Sequence, residues 1–538
     1  MAQTATTGGA SGEAVAALRQ VAEAGRLADL RWPDFSDYRL HVRNFYEPAG
    51  YALAWVRGGQ PTPQALALIG ILQKADEKGL HSDDYDGPRW AARIARLPSA
   101  SEAERAQFDA ALTVCTMRYI SDLRIGRVNP RHFQFGLDIE HKKYNLPEFL
   151  RQRLVDAADP APALGAVEPP FAGYKRAQAA LLRYFDLARQ DNGEQLPVPA
   201  KTIAPGSPYP GVPRLARLLR LLGDLPPDSA VAEGTDQYAG PLVDAVKRFQ
   251  RRHGLQADGR LGTQTVKALN TPIGFRIRQL QLTLERWRWL PLDFPEPPVV
   301  VNIPEFRLRA FNTEAGGADA LEMNVIVGKA YSRTPVFADT MQYVVLRPYW
   351  NVPPSIQRGE IVRAIVKDRD YIAKKGFEVT TQRGEFVTSG TINDDVLARL
   401  KAGTLAVRQK PGPTNSLGLV KLIFPNSNNV YLHSTPAAEL FSRSRRDFSH
   451  GCIRVEKPAE LTAWALRNNA GWDVDRIRQA MESGKDNQQV NLVKPIPVLI
   501  LYGTAIVNEA GEAHFFDDIY GLDASLEKVL AKGYPYPG

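Results

Sequence analysis

In SRRDFSHGCIRVEKP, residues 444–458, a cysteine directly follows a glycine and stands two positions after a histidine. A thiol ionises near pH ~8.5 on its own, so Cys452 needs a base or a cation beside it to act as a nucleophile at neutral pH. Two histidines qualify: His450 in the same segment and His433 upstream in VYLHSTP. Gly451 permits a tight turn and leaves backbone N–H groups to face a developing oxyanion. If the segment is extended, Arg454 shares a face with Cys452, and its guanidinium suits a substrate carboxylate. The pattern fits acyl transfer by a cysteine–histidine pair. Two other readings stay open on the residues alone. Cys452 could be a buried strand residue beside a satisfied core histidine, or His433, His450 and Cys452 could hold a metal, although the paired CxxC or HxxxH spacing of such sites is missing.

The chain that must position these groups has 538 residues, 44% of them hydrophobic and 23% charged, which describes several globular domains. Its net charge of +8 suits an acidic partner, but no nucleic-acid motif accompanies the basic runs RLARLLRLL and SRSRR. The N-terminal MAQTATTGGASGEAV has neither a basic nor an apolar leader region, and no apolar run approaches a membrane span. Two cysteines make no disulfide framework; Cys115, among apolar neighbours at helical spacing in ALTVCTMRYISDL, reads as core.

Apolar residues at three- and four-residue spacing predict helices throughout 13–205, as in PQALALIGILQKADEKGL and AERAQFDAALTVCTMRYISDL. A linker over 200–212 leads into a small helical bundle, 206–291. In it Leu242, Val246 and Phe249 share a face, Gly254 stops one helix, DGRLG turns and Thr263 caps the next. After residue 298 the texture becomes β: PVVVNIPEFRLRAF, MQYVVLRPYW, LVKLIFPN, NVYLHS and the tail PVLILYGTAIV. This β-rich domain runs over 298–538, interrupted at about 355–408 by a charged, helical insertion such as a rigid scaffold carries as a lid. The fold class is a multidomain α+β chain.

Phe249, Gln250, Gly254, Leu255, Asp258, Gly259, Gly262, Thr265 and Leu269 resemble the peptidoglycan-binding repeat, a pattern that speaks to fold more than to ligand contact. TPVFADTMQYVVLRPYWNVPPSI, RQKPGPTNSLGLVKLIFPN and VYLHSTPAAELFSRSRRDFSHGCIRVEKP together resemble the L,D-transpeptidase, or YkuD, catalytic domain. That family's signature is a histidine, a spacer of some fifteen residues, then Ser/Thr-His-Gly-Cys, here His433, Ser449, His450, Gly451 and Cys452. FYEPAGYALAW and the helical scaffold before a peptidoglycan-binding module resemble its large, YcbB-like branch.

The resemblance implies that Cys452 attacks a tetrapeptide stem at its third residue, that His433 is the base, and that a second stem's amine resolves the thioester into a 3–3 cross-link. It implies no metal and no organic cofactor. It implies substrate contacts from Arg454, Tyr431, His450, Ser449, Trp350 and Asn351, carbapenem β-lactams as covalent inhibitors, other cell-wall enzymes as partners, and a Gram-negative periplasm or envelope, with the leader or anchor absent from this chain. Ser434 stands where relatives often have glycine, which keeps the backbone carbonyl expected to orient His433. The acyl-enzyme could instead go to water, making a carboxypeptidase or cross-link hydrolase, or the domain could be an inactive wall-binding scaffold. SLEK at Ser525, SNN at Ser427 and KPG at Lys410 only echo the serine acyl transferases, in reversed order, and read as chance.

Overall fold

The computed structural model describes residues 12–232, 234–312 and 319–536, so most of the N-terminal stretch read as leaderless lies outside the described residues. The chain divides into two compact units, residues 1–293 with 503–538, and residues 294–502.

In the first unit the predicted helices form as Gly12–Ala24, Pro63–Gln73, Glu102–Ile125 and Ala172–Gln190. Glu102–Ile125 is the axis of the scaffold: Ser101 and Glu104 close a capping box at its start, and it is buried along nearly its whole length, Cys115 included. No helix among the described residues is long and apolar enough to cross a membrane.

The bundle that follows has helices Val212–Leu221, Pro241–Arg252 and Thr263–Leu269. Leu242, Val246 and Phe249 are buried together, and Gly254 ends the second helix in a left-handed conformation. Thr263 is not the cap: Gly262 takes that position and Thr263 begins the helix. The repeat's polar signature turns inward. Gln250 Nε2 lies 3.0–3.1 Å from Asp258 Oδ1, the Arg260 carbonyl and Thr265 Oγ1, and Gly259 N–H donates to Gln250 Oε1 at 2.8 Å. These residues therefore hold the turn between two helices, which spends their hydrogen-bonding capacity on the fold.

The sequence carries the β domain to residue 538, whereas the structure assigns everything from Gly503 onward to the helical unit. There the hairpin Ala505–Val507/Ala513–Phe515 and helix Leu522–Leu530 are tied to helices. Gln279 Nε2 donates to the Phe516 carbonyl at 3.0 Å, Arg252 Nη1 to the Ala513 carbonyl at 2.9 Å, and Arg286 pairs with Asp523. The unbroken β texture of PVLILYGTAIV hides this change of partner, because local composition reports strand and not the sheet it joins.

The second unit is built on a nine-stranded sheet in the spatial order Asp447–Ser449, Asp319–Gly328, Ile453–Val455, Leu432–His433, Val420–Ile423, Phe337–Leu346, Gln488–Leu501, Val299–Asn302, Arg307–Phe311. It closes on itself, because Arg307–Phe311 also pairs with Asp319–Gly328. Alternation fills the interior: Val420, Leu422, Leu432, Ile453 and Val455 are buried, while Lys421, His433 and Arg454 fall on the opposite face.

The insertion is not simply helical. Besides short helices it contains a four-stranded sheet, Trp350–Asn351, Leu405–Gln409, Phe377–Thr381 and Phe386–Thr388, around its own core of Ile365, Ile372, Val379, Leu400 and Val407. The alternation in FEVTT and LAVRQ carries those strands, and the charged helices between them obscure it.

Candidate active site

Two short strands bring the chemistry together. Leu432–His433 pairs with Ile453–Val455 in parallel, Leu432 against Ile453 and His433 against Arg454. Extending that register places Tyr431 beside Cys452, and the side chains of Tyr431, His433, Cys452 and Arg454 on one face. On its other side His433 is opposite Lys421. The imidazole thus stands between two cations in one row across the sheet.

His433 is buried, and its Nδ1 lies 2.6 Å from the Ser434 carbonyl oxygen. A carbonyl only accepts, so Nδ1 carries the proton and Nε2 keeps the lone pair. Gly418 lets this happen, with a left-handed φ of +62°; a Cβ there would sit 2.4 Å from Ser434 Oγ. Burial, and then the Arg454 guanidinium, push His433 down to about 3 against the opposing Ser434 and Leu417 hydrogen bonds. The imidazole is neutral. The Cys452 thiol is raised, chiefly by burial, while hydrogen bonds from Tyr431 and the charge of Arg454 work the other way. The resting pair is therefore thiol and neutral imidazole, and ionisation belongs to the moment of attack.

One pH dependence follows. Because the folded-state value of His433 is depressed, the base stays unprotonated well below the ordinary histidine range. The acylation rate should show no histidine-type loss from about pH 7.5 down to about pH 5. A pH profile of carbapenem acylation checks this, and an inflection near ~6.5 would contradict it.

The turn that presents Cys452 is pinned from several sides. Gly451 adopts φ +119°, a conformation that side chains rarely tolerate. Ser449 Oγ donates to the Cys452 carbonyl at 2.6 Å and accepts the Gly451 N–H at 3.1 Å. That last bond engages the amide which the sequence offers as an oxyanion donor, so Gly451 shapes the turn and the hole must draw on other donors. Thr334 Oγ1 donates to the Gly451 carbonyl at 2.8 Å, and Cys452 Sγ–H points to the Asn429 carbonyl at 3.7 Å.

His450 leaves this cluster altogether. Its Nε2 lies 2.7 Å from Glu360 Oε1, a residue of the insertion. This contact ties the insertion to the turn that carries Cys452. Trp350 and Asn351 belong to the insertion's own sheet, where the Trp350 ring faces Phe377 at 6.1 Å. Sequence reasoning missed Glu360, Thr334 and Asn429. Thr334 lies in the quoted flank of TPVF and offered a signal by position, whereas a glutamate among the insertion's other charges offered none.

Three comparisons bear on this arrangement. Residues 297–490 match the YkuD family, described as "L,D-transpeptidase catalytic domain". By this match, residues 297–490 carry an L,D-transpeptidase catalytic domain. Its companions match the "Putative peptidoglycan binding domain" over 209–269 and a "Scaffold domain" over 41–181. A Haemophilus influenzae protein named "Putative L,D-transpeptidase" is 32% identical over 249 residues, covering 46% of this chain and 49% of its own length. The chain thus spans about half the length of that curated relative. A solved L,D-transpeptidase from Xylanimonas cellulosilytica, residues 123–326, is 15% identical, covering 57% of this chain and 98% of its own, with a TM-score of 0.15, too low for a conclusion about fold.

Proposed function

We propose that the protein is a cysteine-dependent L,D-transpeptidase that forms 3–3 cross-links between peptidoglycan stems in a bacterial envelope, the periplasm of a Gram-negative cell. The observation that supports this most is the neutral His433, with Nδ1 committed to the Ser434 carbonyl and the side chain on the face it shares with Cys452 by strand register.

In this reading His433 Nε2 takes the thiol proton as Sγ attacks the carbonyl of the stem's third residue. The carbon–sulfur bond forms, and the tetrahedral oxyanion is met by the Cys452 amide and the Tyr431 hydroxyl. His433 returns the proton to the departing amine of the terminal D-alanine, leaving a thioester. Arg454 takes a stem carboxylate. The chemistry asks for no metal and no cofactor. Mass spectrometry of muropeptides after incubation with tetrapeptide stems tests the proposal. New 3–3 dimers support it, and tripeptide monomers alone would show that water takes the acyl group.

Acting as a cap, the insertion supports transfer over hydrolysis by excluding water. It has its own core, and its two ends meet where Asn351 pairs with Arg408. Replacing residues 353–406 with a short Gly–Ser linker should therefore leave the barrel folded and lower dimer yield by about tenfold or more, with hydrolysis rising in its place. Dimer formation unchanged by the deletion would sink the role given to the cap.

A further inference from the structure

A second loop touches the nucleophile's turn, and the mechanism above leaves it without work. It is KAYSRT, residues 329–334. Its frame is rigid. Gly328 N–H donates to Thr334 Oγ1 at 2.9 Å, Lys329 N–H to the Ser449 carbonyl at 3.0 Å, Ser332 N–H to the Lys329 carbonyl at 2.9 Å, and Thr334 Oγ1 to the Gly451 carbonyl at 2.8 Å. A Cβ on Gly328 would stand 2.1 Å from the Ser332 oxygen, so the loop doubles back on its own root.

What this frame displays is Tyr331, 80% exposed, with Lys329 Nζ 5.7 Å from the ring centroid. Arg333 Nε turns back to the Ala330 carbonyl at 3.0 Å. An aromatic ring held so far into water adds little to folding, and a single one is ordinary on a surface; what marks this one is the bonded frame that fixes it beside the turn carrying Cys452. The placement is also informative. The catalytic turn is held at His450 by the cap's Glu360 and at Gly451 by this loop. The transpeptidase reading needs a second substrate to reach the thioester, and this loop is a segment outside the insertion that is bonded to the same turn, at Gly451 and Ser449.

We propose that the 329–334 loop docks the second, amine-bearing substrate, an acidic peptide. Tyr331 packs against its backbone and Lys329 takes a carboxylate. The proposal rests on the transpeptidase reading and adds the acceptor's place to it. Once docked, the acceptor's amine nitrogen attacks the thioester carbonyl. The carbon–nitrogen bond forms, the carbon–sulfur bond breaks, and the proton lost by nitrogen passes through His433 Nε2 to the departing sulfur.

Full-length wild type, Tyr331→Ala, Lys329→Ala, the double variant and Tyr331→Phe test the docking site. Thioester formation on a carbapenem and on a tetrapeptide donor is read by intact mass, and dimer yield is followed against acceptor concentration. Acylation should stay within about twofold of wild type in every variant. The acceptor concentration giving half-maximal dimer should rise about fivefold or more in the two alanine variants, the scale of one exposed ion pair or ring contact, with kcat at saturation retained and Tyr331→Phe near wild type. Unchanged acceptor dependence, or an equal fall in donor acylation, overturns the docking site while a cross-linking wild type leaves the proposed function standing. A wild type that forms no thioester or no dimer overturns both.

Discussion

Cys452→Ala should abolish acylation by a carbapenem, His433→Ala should slow it by about a hundredfold or more, and His450→Ser should retain substantial activity. Loss of the sulfur removes the atom that forms the bond. Loss of His433 leaves a thiol that burial keeps protonated, with no neighbouring base to take its proton. His450 is the nearer histidine in sequence, yet its Nε2 is engaged by Glu360, so its removal loosens the cap's tie and leaves the proton path intact. A histidine two residues from its nucleophile is confined by the same short turn, while one on a separate strand approaches independently, the usual arrangement of cysteine–histidine acyl transfer. Acylation rates of the three purified, folded variants decide the matter. If His450→Ser is as inactive as Cys452→Ala and His433→Ala stays near wild type, the assignment is reversed.

Glu285→Ala should destabilise the helical unit by about 3–5 kcal/mol, because it leaves buried positive charge without its counter-ion. Glu285 is fully buried. Its carboxylate accepts the Arg127 N–H and, at 3.2 Å, the Val128 N–H; Arg127 Nε lies 3.3 Å and Arg288 Nη1 3.4 Å from Oε2. Gly126 makes the approach feasible: its φ is +81°, and a Cβ there would fall 2.8 Å from Glu285 Oε1. An alanine at 285 leaves Arg288 without its counter-ion and Arg127 with only Asp84, at 3.8 Å, and both arginine side chains are almost wholly inaccessible. Differential scanning calorimetry should show the unit's transition moved down by several degrees, on the order of 2–4 °C per kcal/mol for a domain of this class. A transition within about a degree of wild type would show that water or rearrangement replaces the carboxylate.

The sequence by itself determined the elements and singled out the residues proposed to react. Helical spacing marked the scaffold helices, and β-branched runs marked the barrel strands, because a single period of burial leaves its trace in local order. Cys452, His433 and residue 434 were brought forward by the family signature, whose parts sit at fixed offsets, and the structure places the Ser434 carbonyl against His433 Nδ1.

What only the tertiary structure decided are the partners. Nothing local tells which partner each histidine meets: register across two strands puts His433 on the face of Cys452 with Nδ1 bonded to Ser434, while Glu360 of the insertion engages His450. Nothing local tells the tail after Gly503 to leave the barrel, because a strand's composition records that it is half-buried and not which unit buries it. Gly451, too, offered an amide by its position, but Ser449 Oγ engages that amide from two residues away, and the competition is settled by the angle of one turn. Element identity follows from near neighbours in the chain, whereas proton placement and docking depend on side chains that folding brings together from distant positions.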